Sequence, residues 1–136
     1  MAESTPSRAT ELALTGLRLI SGFLFMPHGV QKLFGLLGGM GGSGATASFP
    51  GVLWWAGVFE FFGGLCIVLG VLTRLIAFLL SGQMAVAYFM SHAPRGFWPL
   101  VNRGELAVLF CFIFLLLAAV GGGPYTVERL WRKRTG

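Results

Sequence analysis

Six ionisable side chains, Arg18, His28, Lys32, Glu60, His92 and Glu105, lie inside or at the ends of strongly apolar stretches of this 136-residue chain. A charge at membrane depth is costly, so it faces protein or a water-filled cavity and marks either a fixed ion pair or a functional site. On the first apolar stretch, helical steps of about 100° place Arg18, Ser21, His28 and Lys32 within a sector of roughly 80°. The polar groups therefore share one helix face. Glu60 lies roughly 13 Å from the outer end of the second stretch, and Arg18 roughly 9 Å from the inner end of the first. The long arginine side chain can bridge the remaining gap, so an intramembrane Arg18–Glu60 pair is expected. Such a pair can hold helix register or relay a proton, and His28 is the alternative partner for Glu60.

A second group gathers where the first and third stretches end and the fourth begins. His28, Lys32, His92, Arg103 and Glu105, with Asn102, share one depth, which suits a pocket or vestibule. An apolar slot with hydrogen bonds from histidine or arginine would take a quinone-type head group. The plainer reading is that these residues cap helix ends at the water boundary. Tyr88 and His92 share a stripe with Ser81 on the third stretch, while Gln83 points the other way. Two isolated histidines without a spacing motif assign no haem and no metal. Cys66 and Cys111 lie roughly 22 Å and 9 Å from the outer ends of their stretches. A disulfide needs Cα atoms within about 7 Å, so thiol–disulfide exchange within the chain is not expected.

These residues must be carried by membrane helices. The chain is 55% hydrophobic and only 11% charged, with a mean hydropathy of +0.77, beyond an ordinary soluble domain of this size. The expected fold is all-α: an integral membrane four-helix bundle spanning residues 12–121. Its spans run from Leu12 to Phe34, Gly51 to Leu72, Leu75 to Ser91 and Glu105 to Val120, the last two being short. Residues 1–11 form a polar tail with no signal-peptide pattern, and residues 122–136 a basic tail. The first connection, GLLGGMGGSGATASFPG, reads as mobile or re-entrant; Thr73-Arg74 forces a tight hairpin; HAPRGFWPLVNRG reads as an interfacial loop. Pro27 is placed to loosen the first helix beside His28.

The basic residues choose an orientation. Arg8, Arg74, Arg129, Arg132, Lys133 and Arg134 fall on the side of the termini, against Lys32, Arg95 and Arg103 opposite. That asymmetry puts both termini in the cytoplasm. The basic tail beside an apolar span then anchors near anionic lipid heads and does not bind nucleic acid.

The order of the segments LRLISGFLFMPHGVQKLFG, FEFFGGLCIVLGVLTR, GQMAVAYFMSH and NRGELAVLF resembles the DoxX family of small four-helix bacterial membrane proteins. The resemblance rests on Arg18, Gly22, His28, Gly29, Lys32, Glu60, Gly63, Gly70, Thr73, Arg74 and Glu105, and runs from about Leu14 to Gly123. It implies a multi-pass protein of the bacterial inner membrane. Some members are similar to the small subunit of a thiosulfate:quinone oxidoreductase, and others are linked to thiol-stress assemblies with soluble enzymes. The resulting expectation is an accessory subunit for quinone-linked redox chemistry, with quinone as a non-covalent ligand and a soluble or membrane redox partner holding the main cofactor. A non-catalytic anchor and a transporter of protons or small solutes are the alternatives.

Overall fold

The computed structural model describes residues 5–135, which fold into helices and connecting loops with no β-strand among them. Helix α1 (Arg8–Phe34) starts one turn before Leu12 because Ser7 caps it, its hydroxyl accepting from the Thr10 amide. Part of the expected polar tail is therefore helical. Pro27 does not interrupt α1, which runs on until Gly35 adopts the left-handed conformation with φ of 66°. Helix α2 (Val52–Leu69) stops at Gly70 in the same way. Helix α3 (Thr73–Ala87) continues through a π-helical turn, Tyr88–His92, and a 3-10 turn, Ala93–Arg95. The stretch Thr73–Arg95 thus has 23 residues, longer than the short third span read from hydropathy. A four-residue helix, α4 (Pro99–Asn102), precedes α5 (Glu105–Val120), and α6 (Val127–Thr135) occupies the basic tail.

By length and composition, three helical stretches can cross a membrane: α1, α2 and Thr73–Arg95. Helix α5 is apolar but shorter, at 16 residues. The burial pattern matches that setting. Phe23, Phe62, Phe78 and Phe112 turn outward, while Arg18, Ser21, Glu60, Ser81 and Asn102 are buried. Hydrocarbon is the solvent such a surface suits, because outward apolar groups cost nothing there and inward polar groups must find partners within the protein.

The connection between α1 and α2, expected to be mobile or re-entrant, closes into a hydrogen-bonded loop. Met40 and Ala45 form an antiparallel bridge, the Ala47 amide donates to the Lys32 carbonyl at 2.7 Å, and the Gln31 side chain donates to Leu37 at 2.9 Å.

Two closely packed pairs make up the bundle, α1 on α2 and α3 on α5. Glycines set the first pairing. A Cβ at Gly22 would lie 2.8 Å from the Gly64 carbonyl oxygen, and one at Gly29 would lie 2.5 Å from the Phe61 nitrogen and 2.6 Å from the Gly57 oxygen. Backbone meets backbone at both contacts, as small residues permit between membrane helices. The second pair is tied by Ser81, whose hydroxyl donates to the Cys111 carbonyl at 2.8 Å. A core of Phe25, Ile67, Leu80, Phe110, Phe114 and Leu117 joins the pairs, with Phe25 edge-on to Phe110 and Phe114 at 5.1 and 4.9 Å.

Gly29→Val is expected to destabilise the protein by about 1–3 kcal/mol through overpacking, because the atoms in its way are backbone. Gly16→Ala, with nothing within 4 Å of the added carbon, serves as control and should change little. Denaturant titration of both variants in detergent micelles checks the contrast.

Candidate functional site: a polar cavity between the helix pairs

Where α1 ends and α5 begins, the two pairs diverge around a cavity of about 380 Å³. Its apolar wall comes from Phe25 on α1, Leu53 and Ala56 on α2, and Leu106 and Phe110 on α5. Into this wall are set His28, Lys32, Glu60, Gln83, His92 and Arg103. Four of the five expected vestibule residues, His28, Lys32, His92 and Arg103, therefore line one space. Glu105 does not. It is exposed in the first turn of α5, where a carboxylate meets the positive end of the helix dipole.

The charged centre of the cavity is a pair that differs from the expected one. The Lys32 ammonium donates to both oxygens of Glu60, at 2.7 and 2.5 Å, and the Glu60 side chain is only 4% exposed. Gly57 makes room for this contact, since a Cβ there would lie 2.9 Å from the Lys32 Cβ. Neither Arg18 nor His28 is the partner of Glu60. The glycine contacts set Gly29 beside Phe61 and Gly22 beside Gly64, so Arg18 lies level with the end of α2. About ten residues of helix, roughly 15 Å, separate it from Glu60.

Arg18 instead acts as a staple at the opposite end of the bundle. Its Nη1 donates to the carbonyl of Ile67 at 2.7 Å and to that of Val68, its Nε to Gly122 at 3.0 Å, and its Nη2 to Tyr125 at 2.7 Å. Ile67 and Val68 belong to the last turn of α2, whose carbonyls carry partial negative charge; besides Arg18, the Ile67 carbonyl accepts from the Gly70 amide at 3.2 Å. One guanidinium thus joins α1, α2 and the chain leaving α5.

Gln83, which as expected points away from the Ser81 stripe, completes the centre. Helix α3 lies between α2 and α5, so its Ser81 stripe meets α5 while Gln83 reaches α2. The amide nitrogen of Gln83 donates to the Ala56 carbonyl and to Glu60 Oε1, both at 3.3 Å. Both neighbours are acceptors, which fixes the amide orientation and leaves Oε1 as the acceptor end. That oxygen is buried without a hydrogen-bond partner. Period-based face assignment could not find Gln83, because it cannot tell which of two covered faces borders the cavity.

His28 stands between Phe25 and Phe110, with ring centroids 6.5 Å from each, and among the described residues its side chain makes no hydrogen bond. His92 is more constrained: it stacks on Tyr88 at 6.2 Å, and its Nδ1 lies 3.1 Å from the Asn102 carbonyl oxygen. Asn102, wholly buried, donates to the Tyr88 hydroxyl and the Gly96 carbonyl and accepts from the Gly104 amide. It orders the α3–α5 connection and so holds His92 and Arg103 at the cavity. No group of three metal-ligating side chains occurs among the described residues. Cys66 and Cys111 are both free thiols.

The family model for DoxX matches residues 13–93, which include Arg18, the Lys32–Glu60 pair and Gln83. An uncharacterized protein of Haemophilus influenzae (strain ATCC 51907 / DSM 11121 / KW20 / Rd) is 36% identical over 124 residues, covering 89% of this chain and 92% of that protein. The inner membrane protein YqjF of Escherichia coli (strain K12) is 36% identical over 77 residues, covering 55% of this chain and 58% of its own length. No solved structure matches the chain.

Proposed function

Because this chain belongs to the DoxX family and is a multi-pass protein of the inner membrane, we propose that it is a membrane subunit supporting quinone-linked redox chemistry with a partner that holds the main cofactor. In this reading α5 is the fourth crossing helix, both termini are cytoplasmic and the cavity opens near the outer face. The carrying observation is the convergence of His28, Lys32, Glu60 and Gln83, with His92 and Arg103, in a chamber whose wall is otherwise largely aromatic and aliphatic.

The side chains present fit a quinone head group. Phe25, Leu53, Leu106 and Phe110 supply the apolar lining such a ring needs, and His28 and Lys32 are donors for its carbonyl oxygens. Bound there, a quinone supplies a two-electron, two-proton carrier within the membrane. The chain's own contribution is to bind and to orient, with the Lys32 side chain held on Glu60 as a hydrogen-bond donor in an apolar setting.

Purification in mild detergent with extraction and mass spectrometry tests this reading. Co-purifying quinone and quinone-dependent electron transfer with the captured enzymes are expected, and absence of both overturns it. His28→Ala should reduce retained quinone by about tenfold, the scale of one hydrogen bond to a buried ligand, with unfolding unchanged. The same half-open Lys32–Glu60 pair also supports a transport reading, for which proton or solute flux into proteoliposomes under a pH gradient is the deciding measurement.

A further inference from the structure

At the opposite end of the bundle from the cavity, the structure holds a basic hollow of about 490 Å³ under α6. Its floor is Gly121, Gly122 and Gly123, and Arg74, Arg129 and Arg132 stand around it. Gly121 keeps the space open, because a Cβ there would lie 3.2 Å from the Arg74 Nε. The one acidic residue in the lining, Glu128, is already engaged: it accepts from the Leu72 amide at 3.2 Å and from Arg132 at 3.1 Å. Arg74 reaches only the Val120 carbonyl, at 3.4 Å, and Arg129 makes no side-chain hydrogen bond among the described residues. Two guanidinium groups thus face a hollow whose single carboxylate is otherwise occupied.

A second, larger groove adjoins it. This space of about 960 Å³ is walled by Leu14 and Leu17 of α1 and Leu116 and Val120 of α5, with Glu11 at its polar end. It shares Gly121, Gly122, Gly123 and Arg129 with the basic hollow. A cationic hollow meeting an apolar groove at a common arginine has the two-part chemistry of a phospholipid: an anionic phosphate and an acyl chain. Arginine suits the phosphate, since its planar fork donates two hydrogen bonds to one phosphate group. The pairing with an apolar groove distinguishes a lipid from free phosphate, which has nothing to place there. Diffuse attraction of the basic tail to a charged surface needs neither groove nor hollow.

We propose that this end of the protein holds one anionic phospholipid, its phosphate between Arg74 and Arg129 and a chain along the α1–α5 groove. The lipid seals the junction where the Arg18 staple meets the chain leaving α5.

Native mass spectrometry of the full chain in detergent, with phosphatidylglycerol, phosphatidylcholine or inorganic phosphate added, tests the site. A 1:1 adduct with phosphatidylglycerol that persists at collision energies removing phosphatidylcholine is expected. Arg129→Gln should weaken that adduct about fivefold and Arg74→Gln/Arg129→Gln by tenfold or more, the scale of one juxtamembrane cation each. Lys133→Gln/Arg134→Gln removes the same charge from outside the hollow and should retain the adduct. Equal loss in both double variants overturns the proposal in favour of diffuse attraction. Equal stabilisation by inorganic phosphate alone overturns the assignment to a lipid. Arg129 is exposed, so its single variant reads out binding even if the Arg74 variant fails to fold.

Discussion

Replacing Arg18 with methionine is expected to cost at least about 3 kcal/mol of folding stability. The guanidinium is 1% exposed and donates to four carbonyls on two separate segments. Each hydrogen bond to a charged donor contributes about 1.5–3 kcal/mol, and carbonyls stripped of a donor in an apolar setting keep their full desolvation cost. Methionine fills much of the volume, which isolates the polar loss from a cavity. Arg18→Lys should fall between, because an ammonium is a point donor and cannot reach carbonyls spread around a planar fork. Denaturant titration in micelles and accumulation in the membrane measure the series. A methionine variant as stable as the parent would show that the staple is dispensable.

The second large effect concerns Lys32 and Glu60, and here stability and function should separate. Lys32→Met strands the buried Glu60 carboxylate and should cost about 3–5 kcal/mol, the usual result of removing one member of a buried pair. Glu60→Leu should be costly for the converse reason, though less so, because the Lys32 side chain is 20% exposed and can turn to water. Replacing both, as Lys32→Met/Glu60→Leu, removes the stranded charge and should restore stability to within about 1–2 kcal/mol of the parent. The restored double variant should still fail to retain quinone if the pair serves a ligand. Full quinone retention by a stable double variant would leave the pair a purely structural role.

In place of the single Arg18–Glu60 pair expected from the sequence, the structure holds two separate polar contacts, Lys32 with Glu60 and Arg18 with backbone carbonyls. Arg18 and Glu60 were both legible as buried charges, because ionisable side chains in apolar runs must be satisfied somewhere. Their partners were not legible. Depth counted from the ends of hydropathic segments assumes that those ends are level, whereas α1 starts at Arg8 and overshoots the end of α2. The register comes from Gly22 and Gly29 against Gly57 and Gly64, contacts that depend on which helix faces which. Once that register is set, Lys32 meets Glu60 and Arg18 meets carbonyls. The third helical stretch exceeds its hydropathic span for a related reason. The π and 3-10 turns that extend α3 to Arg95 run through Ala93-Pro94-Arg95, which reads locally as a helix stop, and Asn102 holds the connection from outside it.

Composition and charge spacing by themselves determined that the chain is helical, embedded in a membrane and polar inside, because hydrocarbon solvent permits little else for so apolar a sequence. They also brought His28, Lys32, His92 and Arg103 to one level, since helix ends share the membrane boundary. Only the tertiary structure decided that Glu60 and Gln83 join that group, that Glu105 leaves it and that Arg18 serves the opposite end. Side-chain pairing over a few ångströms depends on helix register and rotation, which the close approach of glycine backbones decides and which a one-dimensional period does not encode.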